Sequence, residues 1–303
     1  MAYEAMKKPV LATDLLLLGG DVDSNLIRLI IRCRDMDVDF QACLPGKSHT
    51  PEVIYDVADN SLSIDGRLIK PKSAFVRPDV GTFMESTNET TKAAANDWFN
   101  FFIGWLLCND DIKIFNREFY NKRRINKVHT LRLAYELGVD IPESYITNSV
   151  AHTNSLTKSG DYIYKPIDYG DFTRKLTTMP EEKYPSGVFG NIYIVQNMLE
   201  PPELRIFRIG DELFGFDVQA ESLDYREQED YLMLETGVPA NLKEGIMKLT
   251  TALGLDFAAL DFKFDPKKKN FMLLEVNAGP VFGGFDFSCK GRLSEAMIKY
   301  LIS

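Results

Sequence analysis

The residues best suited to chemistry lie near the end of the chain. Two β-rich runs, from Leu255 to Asp265 and from Phe271 to Pro280, flank the polar stretch Pro266 to Asn270 and predict a hairpin. Side chains alternate faces along a strand. Leu260, Phe262 and Phe264 are therefore expected to share an apolar face with Met272, Leu274 and Val276. Asp261, Lys263, Glu275 and Asn277 fall on the other face. With the turn centred on Lys268, Asp261 stands opposite Glu275, and opposed Cβ atoms of an antiparallel pair are roughly 4.5–5.5 Å apart. Two carboxylates that close repel unless a cation joins them. An all-oxygen set of this kind suits Mg²⁺, which takes one or two carboxylates together with substrate phosphates. A solvated hairpin face is the other reading of the same residues. Lys263 reads as a charge balancer for Asp261 or as a further phosphate contact, and Lys267, Lys268 and Lys269 as a solvated tip.

Cationic side chains upstream fall at positions that need an explanation. Lys127 sits in the first turn of a helix marked by Val128, Leu131, Ala134 and Tyr135, with Gly138 as its stop. A lysine there opposes the helix dipole, so a partner elsewhere would account for its charge. Lys165 ends the strand Tyr162 to Pro166, and the turn Asp168-Tyr169-Gly170-Asp171 follows. The strand Asn191 to Val195 runs into Gln196-Asn197-Met198-Leu199, and Glu200-Pro201-Pro202 breaks the pattern there, a candidate domain junction. Next comes a hairpin, Leu204 to Ile209 and Leu213 to Gln219, with Arg205 and Arg208 on opposite faces. In the front of the chain, Arg77 in the strand Phe75-Val76-Arg77-Pro78 faces a substrate carboxylate or phosphate, or else solvent. Gly46-Lys47-Ser48 is not a phosphate loop, because Gln41 stands where that motif needs glycine.

The elements that must position these groups are legible as an α/β pattern. Asp14 to Leu18 reads as a buried strand, a helix from about Asn25 to Arg34 follows behind Asp23 or Ser24 as cap, and Val38 to Leu44 is a second strand. Short strands follow at Val53 to Tyr55, Leu62 to Ile64 and Arg67 to Ile69, then an aromatic-rich helix from Asn88 to Cys108 and a strand at Ile112 to Phe115. An amphipathic helix through Leu242, Ile246, Leu249 and Leu253 stops at Gly254 and delivers the chain to the terminal hairpin. At 303 residues the chain has room for about two domains. The net charge of −9 argues against nucleic acid as a partner, and any polyanionic substrate must meet a local basic cluster. No apolar run suits a signal peptide or membrane span, and the four cysteines show no metal or redox spacing, so a cytoplasmic location is expected.

The order of Lys127, Lys165, Gln196, Glu203-Leu204-Arg205, Asp261 and Glu275-Val276-Asn277 resembles that of the ATP-grasp carboxylate ligases, in particular the RimK-type branch. The likeness covers about Asn116 to Ser303. The layout of the front end is similar to the graspetide (microviridin-type) peptide maturases. Three departures stand out. The stretch Lys165 to Asp171 is poor in glycine, Glu203 replaces a commoner aspartate, and Ala278 to Gly284 leans toward the general RimK pattern. The resemblance implies an α/β (α+β) ATP-grasp fold in three parts: an N-terminal α/β domain (residues 1–115), a central lid (116–198) and a C-terminal ATP- and Mg²⁺-binding part (199–303). It implies that Lys127, Lys165 and Gln196, Asn197, Met198 and Leu199 hold ATP, that Asp261, Glu275 and Asn277 hold Mg²⁺, two ions in all, and that Arg205 is catalytic. Arg77 and Glu203 would contact substrate. The implied activity is ATP-dependent activation of a carboxylate as an acyl phosphate and its transfer to a hydroxyl or amine, closing side-chain rings in a ribosomal precursor peptide. Alternatives are a ligase like glutathione synthetase or the RimK-type glutamate ligases, adding an amino acid to a small molecule or a protein terminus, and a non-catalytic nucleotide-binding protein. The resemblance also implies a homo-oligomer, a dimer or tetramer.

Overall fold

The structure, a computed structural model, describes residues 9–46, 49–77, 89–122, 126–167, 173–219 and 232–303. The readings at Lys47, Ser48, Pro78, Asn88 and Asp168 to Asp171 lie outside these residues. Contacts divide the chain into two units, Met1–Arg123 with Val281–Ser303, and Arg124–Pro280.

The first unit opens with β1 (Val10–Leu18), α1 (Ser24–Asp35) and β2 (Phe40–Cys43), then the strands β3 (Val53–Asp56), β4 (Ser61–Ile64) and β5 (Arg67–Val76). The helix α2 (Glu89–Leu107), the short strand β6 (Lys113–Ile114) and the helix α3 (Arg117–Lys122) follow. The sheet runs β2-β1-β5-β4-β3, with β6 beside β5. β1 pairs in parallel with both neighbours, and its run Leu15 to Leu18 is buried throughout, as a central parallel strand requires. Asp23 caps α1 by accepting from the Asn25 amide. The expected break between Ile69 and Phe75 is absent. Pro71 pairs with Thr13 of β1, while on its far side β4 reaches only Leu68 and β6 begins at Ser73. The missing N–H of Pro71 therefore falls in a gap between neighbours, where a proline is tolerated.

The second unit carries α4 (Lys127–Glu136), β7 (Ser144–Ser149), α5 (Val150–Ser159), β8 (Tyr162–Pro166), β9 (Arg174–Lys175) and β10 (Val188–Asn197). Then come β11 (Glu200–Ile209), β12 (Glu212–Gln219), β13 (Leu232–Thr236), α6 (Ala240–Ala252), β14 (Phe257–Asp265) and β15 (Asn270–Asn277). Two sheets result, β7-β10-β8-β9 and β13-β12-β11-β14-β15, and the chain passes from one to the other at Met198 and Leu199. In the first of these, Val195, Tyr193, Tyr145 and Tyr164 pack with Leu156 of α5. Register places Lys165, Ile163, Ile194 and Gln196 on the opposite face. In the second, Arg208 donates to the Thr250 and Thr251 hydroxyls of α6, so that face is the helix-covered one. Glu203 and Arg205, odd-numbered neighbours on β11, lie on the other face.

The chain then returns to the first unit. Two helices, α7 (Gly283–Ser288) and α8 (Arg292–Ile302), bury Phe282, Phe285, Leu293, Met297, Ile298 and Leu301 there. Asn25 Oδ1 accepts from the backbone amides of Phe282 and Gly283 at 2.7 and 2.8 Å. Phe115 stacks on Tyr300 with ring centroids 4.8 Å apart. No helix among the described residues is long and apolar enough to cross a membrane.

Candidate functional site

A cross-strand row organises the site. Arg205 of β11 stands opposite Asp261 of β14, and Asp261 stands opposite Glu275 of β15. The expected opposition of Asp261 and Glu275 is observed, but by a different route. The turn spans Pro266 to Lys269, with Asp265 paired to Asn270, half a residue off the expected centre. A bulge then shifts register between Asp261 and Phe262: Phe262 faces Leu273, Asp261 faces Glu275, and Leu274 is the extra residue. This corrects the expected apolar face. Met272 lies opposite Lys263 and Leu273 opposite Phe262, so Met272 and Leu274 do not join the Phe262 row. The bulge also places the Leu274 carbonyl where Lys165 Nζ donates to it, at 3.2 Å.

Side chains converge on this row. Arg205 Nη1 donates to both carboxylate oxygens of Asp261, at 2.9 and 3.0 Å. Both residues are 6% exposed. Asn277 Nδ2 donates to Asp261 Oδ2 at 3.1 Å and to Glu275 Oε1 at 3.2 Å. Its amide thus bridges the two acids and leaves its Oδ1 as an acceptor. Lys127 Nζ lies 3.8 Å from Glu275 Oε2. That contact explains the lysine at the start of α4, whose first turn is held by Asn126 Oδ1 accepting from the Val128 and His129 amides. Burial pushes the Asp261 carboxyl up to about 7. The Arg205 guanidinium opposes the rise, and the Glu275 and Glu203 carboxylates add to it. Lys263 pairs with Glu203, at 3.2 Å, rather than with Asp261.

Gln196 sits on the same sheet face as Lys165 and is 0% exposed. Its Nε2 donates to Ser144 Oγ at 2.9 Å, while Ser144 Oγ donates to the Pro142 carbonyl at 2.7 Å. The hydroxyl proton is therefore committed, and the amide orientation of Gln196 follows from it. Gln196 Oε1 has no hydrogen-bond partner among the described residues. The Asn197 amide donates to the Glu143 carbonyl and the Met198 amide to the Asp161 carbonyl. Asn197 Oδ1 accepts from the Glu143 amide at 2.7 Å. Leu199 is buried.

Arg77 lies in the first unit, 2% exposed, where its Nε donates to Asp23 Oδ2 at 2.8 Å and its guanidinium carbon lies 5.9 Å from the Phe282 ring centre. Thus Lys127, Lys165, Arg205, Asp261, Glu275 and Asn277 are brought together, with Glu203 joined through Lys263. Sequence reasoning missed the Leu274 carbonyl, the Glu203–Lys263 pair and Ser144. The first depends on a bulge that no residue type announces. The second was within reach, because two acid-x-base pairs on antiparallel strands place each acid against a base.

Among the described residues no three histidine, cysteine or acidic side chains form a metal cluster. The set is two carboxylates and one amide oxygen, which suits a hard cation that draws its remaining ligands from phosphates and water, and does not suit an all-protein cage.

No protein-family model matches the chain. The chain is 25% identical over 176 residues to the D-alanine–D-alanine ligase of Wolbachia pipientis wMel, an overlap of 52% of this chain and 56% of that protein. It is 24% identical over 197 residues to the glutamate–LysW ligase ArgX of Sulfolobus acidocaldarius, covering 58% of this chain and 68% of that one. The chain therefore spans little more than half the length of the D-alanine–D-alanine ligase it matches. Among solved structures, the ATP-grasp ligase PsnB complexed with a minimal precursor superposes with a TM-score of 0.75 at 20% identity, over 96% of this chain and 99% of that one. The macrocyclase MdnC of Microcystis aeruginosa MRC, bound with the precursor peptide MdnA, superposes with a TM-score of 0.72 at 14% identity, over 97% and 100%. The chain has the ATP-grasp fold.

Proposed function

We propose that the protein is an ATP-dependent ligase that activates a side-chain carboxylate of a ribosomal precursor peptide and joins it to a hydroxyl or amine of the same peptide. The observation that carries this reading is the row Arg205–Asp261–Glu275 bridged by Asn277, with Lys127 at its end and Lys165 on the adjoining bulge. The fold supports it. So do the neighbours in peptide complexes, PsnB with its precursor and MdnC with MdnA. PsnB has also been solved with a precursor, Mg and ADP.

Lys127 and Lys165 would meet the nucleotide phosphates as point charges. Gln196 Oε1, buried and without a hydrogen-bond partner among the described residues, is an acceptor suited to the amino group of adenine, with Asn197, Met198 and Leu199 forming the edge of the base site. Asp261, Glu275 and the Oδ1 of Asn277 would hold Mg²⁺, which when bound screens the phosphate oxygens and polarises the transferred group. Arg205 stabilises negative charge as the phosphoryl group passes to the substrate carboxylate, giving an acyl phosphate and ADP. The hydroxyl or amine then attacks the acyl carbon and phosphate leaves. Positioning and charge carry this chemistry, so no protein nucleophile is needed. The same reading keeps Glu203 and Arg77 as substrate contacts, the division into three parts at residues 115 and 198, and a homo-oligomer in the cytoplasm.

The test is mass spectrometry of the enzyme, ATP and Mg²⁺ with each peptide encoded beside its gene. Loss of one water per ring is expected. ADP release that requires a free amino acid, with no change in any peptide, would favour the second reading. The relationship to the glutamate–LysW ligase gives that reading some support.

A further inference from the structure

Lys263 has no part in the chemistry set out above, yet its pair with Glu203 lies one row from Arg205–Asp261 on the same sheet face. Register puts Glu203 opposite Lys263 and Arg205 opposite Asp261. Each strand therefore carries an acid, a spacer and a base, and the antiparallel pairing sets every acid against a base. All four side chains are largely buried. The Glu203 carboxylate is close enough to Asp261 to act on its charge. Same-face neighbours on one strand lie within reach of long side chains. Arg205 thus stands between two acids, Asp261 across the ladder and Glu203 along its own strand.

In the ligand-free structure Arg205 neutralises Asp261. A cation held at Asp261 would take over that neutralisation, and Arg205 would turn toward the transferred phosphoryl group. A bare Glu203 carboxylate, buried and two residues away, would capture the released guanidinium, because a buried acid without a counter-charge is costly. Lys263 removes that competitor by pairing with Glu203 at 3.2 Å.

We propose that Lys263 is a positioning residue: it neutralises Glu203 so that Arg205 exchanges between Asp261 and the transferred phosphoryl group instead of being held by Glu203. This rests on the ligase reading and deepens it.

The test needs no peptide substrate. Mg²⁺–ADP affinity is measured by fluorescence titration with and without aluminium fluoride, which mimics the phosphoryl group in transfer. A wild-type gain of at least about tenfold is expected, since transition-state mimics bind more tightly than ground-state ligands. Lys263→Met should leave Mg²⁺–ADP affinity within about threefold and abolish the fluoride-dependent gain, whereas Lys263→Arg, which keeps the charge, should retain it. The double variant Glu203→Gln/Lys263→Met carries no uncompensated charge and should recover the gain. That recovery keeps the test decisive if the single methionine variant does not fold, as read by its thermal melt.

Full gain in folded Lys263→Met overturns the proposal. So does a double variant without gain, which would mean that Lys263 touches the phosphoryl group itself. A wild type that binds Mg²⁺–ADP but shows no gain also overturns it. A wild type that binds no Mg²⁺–ADP overturns the ligase reading instead.

Discussion

Arg205 and Asp261 illustrate how a buried ion pair can be poised for exchange. Their contact, one guanidinium nitrogen shared by both carboxylate oxygens, is made in a largely dry setting, and a charge left there without its partner costs far more than an exposed one. Arg205→Ala is therefore expected to lower the stability of the ligand-free protein by about 3 kcal/mol, read by urea unfolding. Saturating Mg²⁺–ADP should recover more stability in this variant than in the wild type, because the cation replaces the lost counter-charge. Equal recovery would remove Asp261 from the cation site. Glu275→Gln keeps the shape of the side chain and deletes one charge. It should lower ATP turnover with the true substrate on the order of a hundredfold, the scale for removing one preorganised charge-stabilising group. Turnover within a few-fold of wild type would refute the metal role.

At the scale of elements, the bulge at Leu274 and the cap of α4 do the positioning. The sequence made the hairpin, its polar residues and the opposition of Asp261 to Glu275 legible, because residue type and period 2 carry that information. It did not reveal the bulge, because an added residue changes register without changing composition. Two compensating differences, a turn half a residue short and one bulged residue, restored the expected pairing. The β7–α5 stretch also escaped notice. Its helix, Val150 to Ser159, is polar along much of its length and is marked chiefly by the Ser149 cap on the His152 amide. Asn126 has the same capping role on α4 and sets the approach of Lys127 to Glu275. Asn126→Ala should cost about 1 kcal/mol in thermal unfolding and weaken nucleotide binding through Lys127. A stability loss with unchanged nucleotide affinity would separate the cap from the site.

For the whole molecule, the last residues of the chain belong with the first. Asp23 caps α1 and accepts from Arg77, and Asn25 beside it accepts from the Phe282 and Gly283 amides. Asn25→Ala leaves two buried donors without an acceptor. It should cost about 2–4 kcal/mol and hasten proteolysis within residues 281–303, read by limited digestion. Unchanged digestion would show that the aromatic packing of Phe282 and Tyr300 holds the segment alone.

Sequence by itself determined the α/β class, most of the strands around the site and, through the order of residues that resembles the ATP-grasp ligases, six charged or amide side chains expected at a nucleotide and metal site. The elements follow from local periodicity, and the six residues from their type and order along the chain. Only the tertiary structure decided three other features: Lys165 with the Leu274 carbonyl, Arg77 with Asp23, and the return of α7 and α8 to the first unit. Each of these joins residues far apart in the chain. Their choice of partner is set by register, burial and the need to neutralise a buried charge, and none of these is written in the neighbouring residues.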